Sequence, residues 1–251
     1  MNRIEEIGRG AENYSVFEQR MRSPGTLATT PNYDFFTPLH YERNYAYPLL
    51  DWLHGERLCE RQLRVVMPQI SPRNYVGAAP RGTVTLPDEE AAYRWVQSET
   101  HIERAADAVA RCLAMAESRY RINPRRIFLA GSGCGGTMAL RLALRRPDRV
   151  AGVLSLGGRL PRGRTPLAAL RKARCVPVML ACGSCDPDYP TERFCADLRL
   201  LHSAGADVTL RHYSCQRPLA AEMLADVNRW IMEVLARDAS HAVVSEDTRR
   251  V

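Results

Sequence analysis

Lysine is almost missing from this 251-residue chain. Of its 35 basic residues only Lys172 is a lysine, so arginine carries nearly all of the formal net charge of +7. The arginines are spread along the chain, with no block of five or six basic residues. A nucleic-acid role is therefore without support, and a solvated basic surface is the plain reading. Long apolar runs are missing too: none reaches the roughly 20 residues of a membrane span. The opening stretch, MNRIEEIGRGAENYSVFEQR, has no apolar h-region. No secretory signal is expected, and a cytoplasmic location is. In that compartment the eight cysteines are expected as thiols rather than as a disulfide framework. Repeats and low-complexity tracts are also absent.

Apolar residues make up 45% of the chain and charged residues 25%, an ordinary globular balance at a length ample for a sizeable core. Residues 1–30 carry Gly, Ser, Pro and Thr without a period and are expected as a lead-in. Residues 31–236 are expected as the folded domain, and 237–251 as a polar, frayed tail. Within the domain, apolar runs alternate with helical patterns. Tyr47–Leu53, Tyr75–Ala79, Arg126–Ala130, Val150–Leu156, Val176–Cys182 and Val208–Tyr213 are expected as strands, the first oddly carrying Asp51. Helices are expected within Glu89–Tyr120 and over Thr137–Arg146, Pro190–His202 and Leu219–Leu235. This alternation predicts an α/β fold with a mainly parallel sheet and helices on both faces. Ligands bind such sheets beyond the carboxyl ends of the strands, so the turns after the strands are where chemistry is sought.

Those turns are His54-Gly55, Gly131-Ser132-Gly133-Cys134-Gly135-Gly136, Cys182-Gly183-Ser184-Cys185-Asp186-Pro187 and Ser214-Cys215-Gln216-Arg217. The glycine-rich turn has the form of a nucleophile elbow, in which tiny flanking residues let strand and helix nearly touch. The same residues also fit Gly-x-Gly-x-x-Gly, the dinucleotide fingerprint. The next strand ends in Leu156-Gly157-Gly158, however, without the acid that would bind a ribose. A simple anion at the helix N-terminus fits the chemistry better. Cys59, Cys134, Cys182, Cys185 and Cys215 all fall near the same predicted end of the sheet. They permit a thiol-based metal or redox site, against the plainer role of small apolar filler.

YPLLDWLHG, VMPQISPRNYVGAAPRGT, RIFLAGSGCGGTMALRLALRRPDRVAGVLSLGGRLP and VPVMLACGSCDPDYP resemble the phospholipase/carboxylesterase (acyl-protein thioesterase-like) branch of the α/β-hydrolases. The resemblance runs from about Thr30 to Leu235. It implies an α/β-hydrolase fold, a Ser–Asp–His triad, an acyl or ester-like substrate and no cofactor or metal. Aligning Gly135, Gly136 and TMAL puts the nucleophile position on Gly133. Asp186 matches the acid, and Arg217 falls where the family has histidine. Gly55, Glu56, Arg57 and Cys134 fall at the oxyanion and ligand-binding positions. Glycine has no atom that attacks a carbonyl, and arginine is no base at neutral pH. The expectation is a weak or inactive hydrolase that binds an acyl ligand or a partner protein. The alternatives are an active esterase using Ser132, or Cys134 with His212 as its base. The sequence sets no oligomeric state.

Overall fold

The computed structural model describes residues 32–87, 91–162, 174, 176–215 and 219–248, with side chains described as far as residue 237. The first half holds β1 (Tyr33–Phe36), β2 (Tyr47–Leu53), α1 (Leu63–Ile70), β3 (Val76–Pro80), β4 (Val84–Thr85), β5 (Tyr93–Arg94) and α2 (Glu99–Arg119). The second holds β6 (Ile122–Ser132), α3 (Cys134–Arg145), β7 (Gly152–Leu156), β8 (Val178–Gly183), α4 (Thr191–Ser203), β9 (Val208–Tyr213) and α5 (Ala221–Thr248).

Seven strands make one sheet in the order β1-β3-β2-β6-β7-β8-β9, and β4 and β5 form a small separate ribbon. Every pairing in the large sheet is parallel except β1 with β3 at one edge. Parallel neighbours need crossovers, and these supply the helices that cover both faces. Side chains alternate accordingly. Leu50, Trp52, Phe128, Ala130, Met179 and Ala181 point to one face, where α1 and α5 pack through Leu63, Met67, Leu224, Trp230 and Ile231. Leu53, Leu129, Val153, Val178 and Leu180 point to the other, under Ile102, Met138, Leu142, Phe194 and Leu201 of α2, α3 and α4. Each fully buried side chain of this kind contributes on the order of 1.5–3 kcal/mol.

The expected elements are present, with differences that have local causes. The pattern over Glu89–Tyr120 divides: β5 falls in its first part and the helix begins only at Glu99. The last helix runs to Thr248, through the segment expected as a frayed tail. Unforeseen elements are β1, α1 and the β4–β5 ribbon. β1 is a four-residue, half-buried edge strand that leaves no strong period, whereas α1 buries Leu63, Val66, Met67 and Ile70 at helical spacing, a period interrupted to the eye by Pro68. Asp51 lies in the middle of buried β2, and neither of its carboxylate oxygens has a hydrogen-bond partner. Burial pushes this carboxyl well above the ordinary range.

Candidate active site

The β6–α3 junction is the sharpest feature of the sheet's carboxyl edge. Ser132 is the last strand residue, and helix α3 begins at Cys134. Gly133 alone makes the turn, with φ 53° and ψ −122°. An L-residue at such a positive φ costs about 1–3 kcal/mol, whereas glycine adopts it freely. A Cβ placed on Gly133 meets nothing within 4 Å, so a side chain there would project into open space. The flanking glycines are constrained in the opposite way. A Cβ on Gly131 would stand 2.5 Å from the Leu53 carbonyl oxygen, and one on Gly135 2.2 Å from the same atom. Strand β6, helix α3 and the end of β2 touch backbone to backbone, so these glycines fill a packing contact.

Beyond the turn lies a cleft of about 660 Å³ whose walls include Gly55, Glu56, Ser132, Gly133, Cys134, Cys185 and Asp186. Gly133 and Asp186, far apart in sequence, thus share one cavity. Asp186 is buried, and its Oδ1 accepts N–H bonds from Asp188 at 2.9 Å and Tyr189 at 3.2 Å. Burial nevertheless outweighs those bonds and raises its pKa above the usual carboxylate value. Arg217 lies outside the described residues; Leu219, two positions further on, lines the cleft with φ 82°. At the far wall, Gly133 offers no side chain to cap the first-turn N–H groups of α3.

The alternative nucleophiles sit differently. Ser132 is buried, and its hydroxyl donates to Gln62 Oε1 at 3.4 Å. Cys134 lines the cleft, but burial pushes its thiol up to about 11, leaving little thiolate at neutral pH. His212 is exposed on β9, stacked on Phe194 with ring centroids 5.9 Å apart and 3.5 Å from Thr191 Oγ1. It does not line the cleft with Cys134, and none of the histidines with described side chains does. His54 is buried. Its Nε2 accepts the Gly82 N–H at 2.8 Å, which leaves the Nδ1 proton to donate to the Gly55 carbonyl at 2.8 Å. Desolvation lowers its pKa to about 4, so this imidazole is neutral and structural.

The oxyanion-side positions divide. Glu56 reaches the cleft and pairs loosely with Arg94 at 3.8 Å. Arg57 is exposed with φ 63° and is not part of the cleft wall. The Gly55 N–H is already engaged with Gln62 Oε1 at 3.1 Å. Gln62, on the short turn before α1, is the organiser that sequence reasoning missed. The same oxygen accepts from Trp52 Nε1 at 2.9 Å, as well as from Ser132, so one amide ties the ends of β2 and β6 together. The described cysteines are all free, and no group of three or more His, Cys, Asp or Glu residues gathers as a metal site among the described residues.

A mostly parallel sheet covered on both faces, with a one-residue strand-to-helix turn facing an acid loop across a cleft, defines an α/β-hydrolase. The phospholipase/carboxylesterase family model matches residues 88–235, and the chain belongs to that family. NocK of Nocardia uniformis subsp. tsuyamanensis, named as an esterase, is 41% identical over 70 residues, 28% of this chain and 20% of NocK. The chain thus spans about a fifth of that curated relative. SOBER1 of Arabidopsis thaliana is 20% identical and superposes with a TM-score of 0.64, over 76% of this chain and 100% of that one. A carboxylesterase of Bacillus cereus is 19% identical, with a TM-score of 0.64 over 80% and 93% of the two chains. At these identities the superpositions speak for the fold. Among the described residues, no helix is long and apolar enough to cross a membrane.

Proposed function

We propose that this chain is a hydrolase that has lost its ordinary catalytic chemistry and uses the elbow cleft to hold an acyl or ester-like ligand. The carrying observation is the glycine at Gly133: it occupies the one-residue turn, with the backbone and the free space that a nucleophilic side chain would need. Asp186 stands in the acid role in the same cleft, and Arg217 in the histidine role; Leu219, two positions after it in sequence, lines the cleft. Cys134 supplies a backbone N–H to a ligand oxygen at the start of α3. Losing a serine nucleophile or its base typically removes about 10⁶ in turnover, roughly 8 kcal/mol of barrier, and an oxyanion hole alone retains about 10³–10⁴ over water. The free thiols fit a reducing, cytoplasmic setting.

Purified protein is expected to resist labelling by a fluorophosphonate and to leave p-nitrophenyl acetate intact. The Gly133→Ser, Arg217→His double variant is expected to acquire measurable esterase activity and fluorophosphonate labelling. A folded double variant with neither gain would refute the assigned positions. Labelling of the wild type that Ser132→Ala abolishes would refute the inactive reading.

A further inference from the structure

A second cavity, of about 780 Å³, lies away from the elbow, between the loop after β3, the β4–β5 ribbon and helix α2. Its walls carry three arginines from two elements: Arg81 from the loop, and Arg104 and Arg111 from the helix. Among the described residues no aspartate or glutamate lines it.

The three cations are placed differently. Arg81 is fixed: it donates to both oxygens of buried Glu60, at 2.8 and 2.6 Å, and its guanidinium lies 5.0 Å over the Tyr93 ring. Arg104 and Arg111 are exposed, and among the described residues neither is held in an ion pair. Asp107, one turn from each, pairs with neither. Spaced seven residues apart, they lie on one face of α2, about 10.5 Å apart along its axis, a span that two long side chains can close. Ala108 and Met115 continue the same face and, with the Tyr93 ring, give the cavity an apolar floor. Thr83 adds a hydroxyl whose oxygen is buried in the cavity wall and has no hydrogen-bond partner.

Two guanidinium forks without an ion pair among the described residues, and a hydroxyl without a hydrogen bond, beside an apolar floor recognise a planar or tetrahedral anion attached to a carbon body. We infer that this cavity binds a small organic phosphate, with the phosphate on Arg104 and Arg111 and the organic part on Tyr93 and Met115. The net charge of +7 adds a long-range attraction for such a ligand. The site is independent of any assignment in the elbow cleft.

Phenyl phosphate is a suitable probe, with phenol and inorganic phosphate as its separated halves. Titrated into the full chain at low ionic strength and followed by calorimetry, phenyl phosphate is expected to bind saturably and more tightly than either half. R104Q/R111Q, altered only at exposed positions, is expected to keep its unliganded melting temperature and weaken binding at least about tenfold. R104K/R111K, which keeps the charge but loses the planar fork, is expected to fall between the two. Absence of saturable binding, or undiminished affinity in R104Q/R111Q, would overturn the site. Equal affinity for inorganic phosphate would overturn the organic half of the assignment.

Discussion

Gly133 is one residue with two separable properties: a backbone only glycine adopts without strain, and a side-chain position facing open space. Asp51 and His54, three residues apart, set a different residue-scale problem. Both are fully buried, and desolvation pushes the carboxyl of the first up and the imidazole of the second down. A free Asp titrates near 4, and the folded carboxyl titrates higher. Its contribution is therefore complete below about pH 4 and is lost, at about 1.4 kcal/mol per unit, as pH rises toward the folded pKa. His54 runs the other way. Its folded pKa of about 4 lies below the unfolded value near 6.5, so its contribution is complete above about 6.5 and is lost as pH falls toward 4. The two slopes oppose each other above about pH 4. In urea unfolding at a series of pH values, Asp51→Asn is expected to lose less stability than the wild type as pH rises above about 4. Parallel stability curves for the two proteins would show that Asp51 is not the controlling group.

At the scale of elements, the β6–α3 unit was the most legible part of the chain. Its glycine spacing located the turn, and the helix begins three residues earlier than its apolar period suggests because glycines 135 and 136 carry no periodic signal. The turn after β8 was legible through Asp186-Pro187, and Asp186 does line the cleft. Gln62 was not: a lone glutamine between two charged stretches has no motif, and its role exists only because β2 and β6 are neighbours in the sheet. β1 and the β4–β5 ribbon were hidden for a related reason, since short strands owe their stability to a partner rather than to their own pattern. The close contact at the junction yields a sharp expectation. Gly135→Ala would drive a methyl group into the Leu53 and His54 carbonyl oxygens, at 2.2 and 2.3 Å. It is expected to cost more than about 4 kcal/mol and to abolish cooperative unfolding at 37 °C, measurable by circular dichroism. A variant melting within a few degrees of the wild type would mean the junction is looser than drawn.

The whole molecule is a sheet clamped between two helical layers, and α5 closes one of them. Trp230 lies against Phe128 edge to face, at 6.3 Å between centroids, and donates its indole N–H to Thr209 at 3.0 Å. Trp230→Ala is expected to cost about 3–5 kcal/mol in denaturant unfolding, with the loss shared by strands β6 and β9. A cost under about 1 kcal/mol would show that α5 is not integral to the core. The two cavities belong to this scale as well, because each is walled by elements distant in sequence.

Taken alone, the sequence determined the layered α/β order, the family resemblance and the oddity of glycine at the turn. These follow from local periodicity and spacing, which each segment carries in itself. Only the tertiary structure decided that Gly133 and Asp186 share a cleft, that Ser132 is turned into the wall, that His212 lies elsewhere, and that arginines 81, 104 and 111 line one cavity. Those facts depend on which strands lie side by side and which helix crosses them. Such choices are made by long-range burial and backbone contact, and no single segment encodes them.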